Sequence, residues 1–242
     1  MIREQLRRIG FPCEEFSPAY AEFFTPSRLK QLEDIAEHLR GTVFFPRAEN
    51  VLRFAAVDPS SLRCVIVGMD PYPSHTVNAA GEIIPEATGR SFEVASVTDW
   101  GGKYRQASLR NILKSIYYAH RGEVPTMENL RAALQDGSFP ILPPRQWWDS
   151  MERQGVLFLN ASLTVLPAQP GTHTAYWDDF VTDLMSFIAQ KAPQAVWLLW
   201  GNVAQERVPA SITNRICSCH PRLPAFVTEC PFAALSDIHW LG

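Results

Sequence analysis

Cysteine is scarce: the 242 residues hold five, at Cys13, Cys64, Cys217, Cys219 and Cys230. So sparse and odd a set does not make the disulfide framework of a small secreted protein. The paired Cys-x-x-Cys units of zinc modules are missing too. Cys217-Ser218-Cys219-His220, with Cys230 as a fourth ligand, is the one grouping with any likeness to a metal site. Reduced structural thiols are the expectation, and no metal. No apolar run approaches the ~20 residues of a membrane-spanning helix. Residues 1–10 carry Arg3, Glu4, Arg7 and Arg8 and no apolar stretch, so no signal peptide and no membrane partner are expected. An intracellular protein is expected, cytoplasmic, or nuclear if the source is eukaryotic. Excess positive charge is also lacking. Lys and Arg total 22 against 25 Asp and Glu, a net charge of -3. That argues against a uniformly basic, non-specific nucleic-acid binder but leaves room for a local basic face. Internal repeats and low-complexity linkers are absent.

What is present is ordinary globular composition, 46% hydrophobic and 19% charged, enough to build a sizeable core without staples. Val65-Ile66-Val67, Val156 to Leu159 and Ala195 to Trp200 read as buried strands, with Arg215 to Cys219 as a fourth. Between them lie helical stripes. Leu29, Leu32, Ile35, Ala36 and Leu39 share one face before a stop at Gly41. Leu109, Ile112, Leu113, Ile116 and Tyr117 form a second stripe, and Trp177, Phe180, Val181, Leu184 and Ile188 a third. Pro125 to Gln135 reads as a helix that Pro125 starts and Gly137 ends. Strands alternating with helices predict a single α/β domain over 1–242. Its architecture is a three-layer α/β/α sandwich around a mostly parallel four-stranded sheet, with an N-terminal helical extension over about 1–41.

Ligands of such sheets bind beyond the carboxyl ends of the strands. Gly68-Met69-Asp70-Pro71-Tyr72 follows the first strand, Asn160-Ala161-Ser162 the second, Gly201-Asn202 the third and His220-Pro221-Arg222-Leu223-Pro224 the fourth. A carboxylate, a carboxamide and an imidazole thus gather at one edge of the sheet. Singly, Asp70 reads as a turn residue, Asn160 as a cap and His220 as a loop histidine. Together they form a site constellation.

These motifs, in this order, resemble the uracil-DNA glycosylase family, family 1-like. Gly68 to Tyr72 is similar to its water-activating GQDPYH motif. Gly89-Arg90-Ser91-Phe92 resembles the segment that supplies a base-stacking aromatic. Leu157 to Val165 is similar to LLLNxxLTV, and His220-Pro221 opens what looks like its HPSPLS loop. Phe44-Phe45-Pro46, Ser108 to Ile112 and Leu198 to Gly201 extend the likeness over about residues 40 to 225.

The resemblance implies hydrolysis of the N-glycosidic bond of deoxyuridine flipped out of DNA. It implies uracil-containing DNA as partner and no cofactor. A monomer is expected, and a proteinaceous inhibitor is left open. By resemblance, Asp70 positions the attacking water and His220 donates to uracil O2 as negative charge develops there. Asn160 pairs with O4 and N3–H, Phe92 stacks on the base, and Tyr72 closes the pocket beside C5. Met69 stands where the family has glutamine and offers the base its backbone N–H. On the DNA side stand the hydroxyls of Ser74, Ser108 and Ser162, with Arg222 placed for a phosphate and Leu223 as the wedge.

The chain departs from the pattern in several places. Pro73 replaces a histidine and removes a backbone donor. The stretch from Tyr72 to Phe92 is longer than usual and is expected to be a loop over the pocket or DNA. Asp99 to Gln106 replaces a proline-rich segment, and His220 to Pro224 inverts the proline–leucine order. Three readings follow: an active glycosylase, a catalytically weak homologue that binds DNA or protein, and a small-molecule nucleoside hydrolase. Charge position bears on them. Residues 101–121 carry +5 without an acid, residues 201–222 carry +2, and the rest of the chain carries -10.

Overall fold

A computed structural model describes residues 1–242. Its helices are α1 (Ile2–Ile9), α2 (Pro26–Leu39), α3 (Ala48–Val51), α4 (Ala107–Arg121), α5 (Met127–Gln135), α6 (Pro144–Arg153), α7 (Thr174–Lys191), α8 (Asn202–Arg207) and α9 (Phe226–Glu229). Its strands are β1 (Cys64–Gly68), β2 (His75–Val77), β3 (Ile83–Pro85), β4 (Val156–Asn160), β5 (Val196–Trp200) and β6 (Arg215–Ser218).

The central sheet has the order β4-β1-β5-β6 and is parallel throughout. Successive strand residues point to opposite faces, so each buried strand feeds two cores. Val65, Val67, Leu157, Leu159, Trp197 and Leu199 face one layer, with α2 and α7. Cys64, Ile66, Val156, Phe158, Leu198 and Trp200 face the other, with α4, α5 and α6. Each fully buried aliphatic side chain in these layers contributes about 1.5–3 kcal/mol. The three-layer sandwich follows from that alternation.

The helix stripes lie where the periodicity predicts them. Thr25 caps α2, its hydroxyl accepting the Arg28 N–H. The next helix corrects an expectation. Thr126 is its cap, accepting the Asn129 N–H at 3.1 Å, so α5 starts at Met127 rather than at Pro125. The short helices α3, α8 and α9 carry no such stripe, and neither does α6, which buries Trp147, Trp148 and Met151 against the sheet. The Tyr72–Phe92 stretch is not an irregular loop but holds the antiparallel hairpin β2–β3, closed by Asn78 to Glu82. The Asn78 carboxamide oxygen accepts the Ala80 and Glu82 N–H groups, and Gly81 takes φ +81, which organises the turn.

Candidate active site

Beyond Gly68 and Asn160, the paired ends of β1 and β4, the two chains stay zipped together. The Ala161 N–H donates to Gly68 O and the Ser162 N–H to Met69 O, each at 2.9 Å. This pairing carries Asp70 and Asn160 out of the sheet side by side. Gly68 has to be glycine here. A Cβ would sit 2.6 Å from Asn160 Oδ1 and 2.8 Å from Ser91 Cβ.

Asp70 Oδ2 accepts the Gly171 N–H at 2.6 Å, from the loop that leads into α7. The other oxygen has no partner from another residue and is free to hold a water molecule. Burial pushes the Asp70 carboxyl above the usual carboxylate range, partly offset by the Gly171 N–H. Gly171 lies three residues before α7, and the start of that helix is pinned from below. The buried Thr164 hydroxyl accepts from the Trp177 indole at 2.7 Å and pairs with His173 Nδ1 at 2.9 Å.

Asn160 is 2% exposed, no hydrogen bond within the protein occupies its carboxamide, and the amide oxygen and nitrogen stay within reach of solvent. Packing thus holds the amide in place with its donor and acceptor open to a ligand. Phe92 flanks the same space, with its ring 5.1 Å from that of Trp200. Its φ is +64, a left-handed conformation that costs a phenylalanine about 1–3 kcal/mol.

The surroundings enforce that conformation. The Ser91 N–H donates to Phe158 O and the Ser91 hydroxyl to Ile66 O. On the other flank Arg90, side chain 4% exposed, forks onto Glu152, Asp149 and Glu93. Those carboxylates outweigh desolvation and hold the guanidinium pKa above its ordinary value. In the sequence Arg90 stands only as part of the Gly89–Phe92 segment, whose candidate site residue is Phe92. The three acids come from α6 and the Phe92 loop itself, so periodicity carried no signal of the cluster.

His220 follows β6 and packs against Gly201, whose φ is +91. A Cβ there would meet His220 Cβ at 2.9 Å. The Arg222 N–H donates to His220 Nδ1 at 3.0 Å. An accepting Nδ1 carries no proton, so the neutral ring holds its proton on Nε2. Burial and the Arg222 charge both push the imidazole pKa down, favouring that neutral form. The loop that follows is held by α4. The Asn111 carboxamide donates to Pro221 O at 2.7 Å and to Leu223 O at 3.3 Å. Asn111 was visible in the sequence only as part of the Ser108–Ile112 motif. Its anchoring role depends on carbonyls more than a hundred residues away. Leu223 itself is 49% exposed, beside the exposed Arg222.

The remaining residues of interest divide. Met69 is 41% exposed and contributes its carbonyl to the β1–β4 zipper. Tyr72 packs on the core, with a buried hydroxyl that finds no partner. Ser108 stands in the first turn of α4, which has no side-chain cap. Ser74 is exposed at the base of the hairpin. Ser162 turns inward, its hydroxyl on Thr164 O, and is 1% exposed, so it offers nothing to DNA. Cys217 is exposed on β6, whereas the Cys230 thiol is buried against Ser115 O, and no group of three His, Cys, Asp or Glu side chains is arranged to hold a metal ion. A concavity of about 870 Å³ between α1 and α2 contains none of these residues. No helix is long and apolar enough to cross a membrane.

Comparison with known proteins gives a consistent result. No protein-family model matches the chain. It is 33% identical over 187 residues to the uracil-DNA glycosylase of Exiguobacterium sibiricum, covering 75% of this chain and 71% of that one. It is 30% identical over 213 residues to the uracil-DNA glycosylase of Amoebophilus asiaticus, covering 85% and 82%. Among solved structures, the wild-type UNG from Nitratifractor salsuginis matches with a TM-score of 0.72 over 98% of this chain and 94% of that one, at 22% identity. Mimivirus uracil-DNA glycosylase matches with a TM-score of 0.62 over 89% and 71%, at 23% identity. A mimivirus UNG variant has been crystallised in complex with UGI. At these identities the structural likeness speaks for the fold.

Proposed function

The chain belongs to the uracil-DNA glycosylase family, and on that premise we propose that Asp70, Asn160 and His220 carry its reaction, hydrolysis of the N-glycosidic bond of deoxyuridine in DNA during repair. The observation that carries the assignment is the Asn160 carboxamide, 2% exposed and without an intramolecular partner, near an aromatic face and at the same sheet edge as a carboxylate and a neutral imidazole. A carboxamide offers a donor and an acceptor together, which match uracil O4 and N3–H. Cytosine reverses both polarities at those positions. A fixed amide then faces two unmatched groups, a mismatch that discriminates by on the order of 10⁴. Phe92 stacks on the flipped base, and Tyr72 narrows the pocket beside C5.

As the bond breaks, its electron pair leaves with the base and positive charge develops on the sugar. The Asp70 carboxylate faces that cation and holds the water through its free oxygen. The water oxygen bonds to C1′ and its proton is released. His220 Nε2–H donates to O2, where the anion forms. A neutral donor suffices, and the Arg222 amide fixes the tautomer that supplies it. Leu223 and Arg222 sit on an anchored loop beside this centre, suited to fill the space left by the base and to meet a phosphate. Ser74 and the first turn of α4 with Ser108 lie on the same side and suit phosphate contacts.

The test is uracil release from single- and double-stranded oligonucleotides by the wild-type chain, Asp70→Asn and His220→Leu. Release by the wild type with about 100-fold or greater loss in each variant is expected. Full activity in both variants would overturn the assignment.

A further inference from the structure

Asp70 leaves the sheet at the end of β1, yet the donor on its carboxylate belongs to Gly171, 101 positions further along the chain. Gly171 sits in a loop that is closed on itself. The Thr172 hydroxyl accepts the Leu166 N–H at 3.1 Å and donates to Gln169 O at 3.0 Å, and the Gln169 N–H donates to Leu166 O. The Ala168 N–H donates to Pro73 O at 2.8 Å, which ties the loop to the segment that follows Asp70.

Under the loop lies a buried polar group made of Thr164, His173 and Trp177. Thr164 Oγ1 accepts the Trp177 indole N–H at 2.7 Å and lies 2.9 Å from His173 Nδ1. A hydroxyl has one proton to give. Were Nδ1 protonated, the Thr164 oxygen would accept twice and leave its own buried O–H without an acceptor, which is costly. The hydroxyl therefore donates to a bare Nδ1, and the ring carries its proton on Nε2. Burial pushes the His173 pKa down, in the same direction. Thr164 also belongs to the segment that carries Asn160, where the Ser162 hydroxyl donates to Thr164 O at 2.9 Å. One residue thus joins the strand end that presents Asn160 to the helix start that presents Gly171.

We propose that Thr164, Thr172 and His173 are positioning residues for Asp70, keeping the Gly171 N–H seated on its carboxylate. The inference rests on the reading of the cleft given above, in which Asp70 holds the water. The physical reason is alignment. A hydrogen bond to a carboxylate weakens steeply with angle, so a donor on a loop needs a rigid mount. The mount is the start of α7, clamped to Thr164 through His173 and Trp177, with the Thr172 hydroxyl closing the loop above it. No charged side chain shifts either titrating group: burial and backbone amides act on Asp70, and burial alone on His173. The Tyr176 ring lies 5.6 Å from that of His173, and His38 of α2 stacks on the far partner, Tyr176, at 5.0 Å. Without the Gly171 N–H, burial of Asp70 is opposed only by its own amide, and its carboxyl titrates at higher pH.

The test uses the full chain with aspartate labelled with carbon-13 at the side-chain carboxyl, so that NMR follows the Asp70 titration directly. Asp70→Asn identifies the signal. Uracil release from a duplex is measured over the same pH range, and melting temperature is recorded for each variant. Thr164→Val removes the hydroxyl at nearly constant shape, Thr164→Ser keeps it, and His173→Phe removes Nδ1. Thr172→Val opens the loop closure at an exposed position, so it leaves the core intact. Ser186→Ala, on the same helix, is the control. Thr164→Val and His173→Phe are expected to raise the Asp70 midpoint and the acid limb of kcat/KM together by about one pH unit. They should lower kcat at least about tenfold with little change in KM. Thr172→Val should move both quantities the same way by less, while Thr164→Ser and Ser186→Ala should stay near wild type. An unmoved Asp70 midpoint in Thr172→Val overturns the proposal. So does a lowered melting temperature in Thr164→Val or His173→Phe with that midpoint unmoved, which marks the group as structural only. A wild-type chain that releases no uracil sinks the reading of the cleft instead. The Asp70 midpoint, read in the free protein, still decides the positioning.

Discussion

Two regions of this molecule treat positive charge in opposite ways. In the N-terminal layer Arg3, Arg7, Arg8, Arg28, Lys30 and Arg40 each have a carboxylate within ion-pair distance. From Lys103 to Arg131 there are six cations and no ion pair, and Arg215 and Arg222 are likewise unpaired. Exposed pairs of the first kind add little to stability. Their effect is to neutralise a surface. Arg110, Arg131 and Arg215 hold backbone carbonyls, whereas the exposed Lys103, Arg105 and Arg222 make neither an ion pair nor a side-chain hydrogen bond. Exposed cations left without partners suit a polyanion. A net charge of -3 therefore averages over a quiet, neutralised side and a working one.

Arg90 lies between these extremes, paired like the first group but buried beside the site. The change expected to have the largest effect is its removal. Arg90→Met leaves the largely buried Glu93 and Glu152 without their cation, with Asp149 beside them, and is expected to cost about 3–5 kcal/mol in chemical denaturation. The milder Asp149→Asn, at a partly exposed partner, should keep the fold and lower kcat for uracil release through Phe92. A wild-type kcat in that variant would mean the cluster is structural only.

Next in size is the separation of cleft from face. Asp70→Asn is expected to lose about 100-fold or more in kcat while keeping the wild-type salt slope of DNA binding. A slope that falls with kcat would show that the two regions are not distinct.

The pH profile comes third. Asp70 must be ionised, and its pKa is raised by burial, so activity should fail on acidification at a higher pH than an ordinary carboxylate would set. His220 must be neutral, and its pKa is lowered, so it protonates only below the usual histidine range and leaves the neutral plateau intact. A kcat/KM profile with an acid limb that Asp70→Asn abolishes is the expected outcome. A plateau lost between pH 6 and 7 would mean that His220 works as an imidazolium.

The smallest effect belongs to the quiet side. Arg8→Ala, which breaks the pair with Glu4, should shift the melting temperature by no more than about 2 °C and leave DNA binding unchanged.

Much of this arrangement was readable before any coordinates. The β-branched run at Val65–Val67 and the stripes at Leu29–Leu39, Leu109–Tyr117 and Trp177–Ile188 define elements by local periodicity, and local periodicity survives folding. The rule that ligands lie beyond strand ends then brings Asp70, Asn160 and His220 together. The same logic failed where an element carries no period. Two three-residue strands are too short to alternate visibly, so the hairpin over 75–85 read as a loop. In α6 the adjacent Trp147 and Trp148 both find core, which blurs any single stripe.

The amino-acid sequence by itself determined the layer order, the parallel sheet and the identity of the three polar groups at its edge. Each is set by the pattern of neighbouring residues along the chain. The tertiary structure alone decided how those groups are held. The Gly171 amide on Asp70, the Asn111 carboxamide under the Leu223 loop and the acids around Arg90 come from residues that are mostly tens to a hundred positions apart. Such contacts form only when packing of the two cores brings distant segments within hydrogen-bond reach. The same packing leaves the cations of one face unpaired and those of the other neutralised.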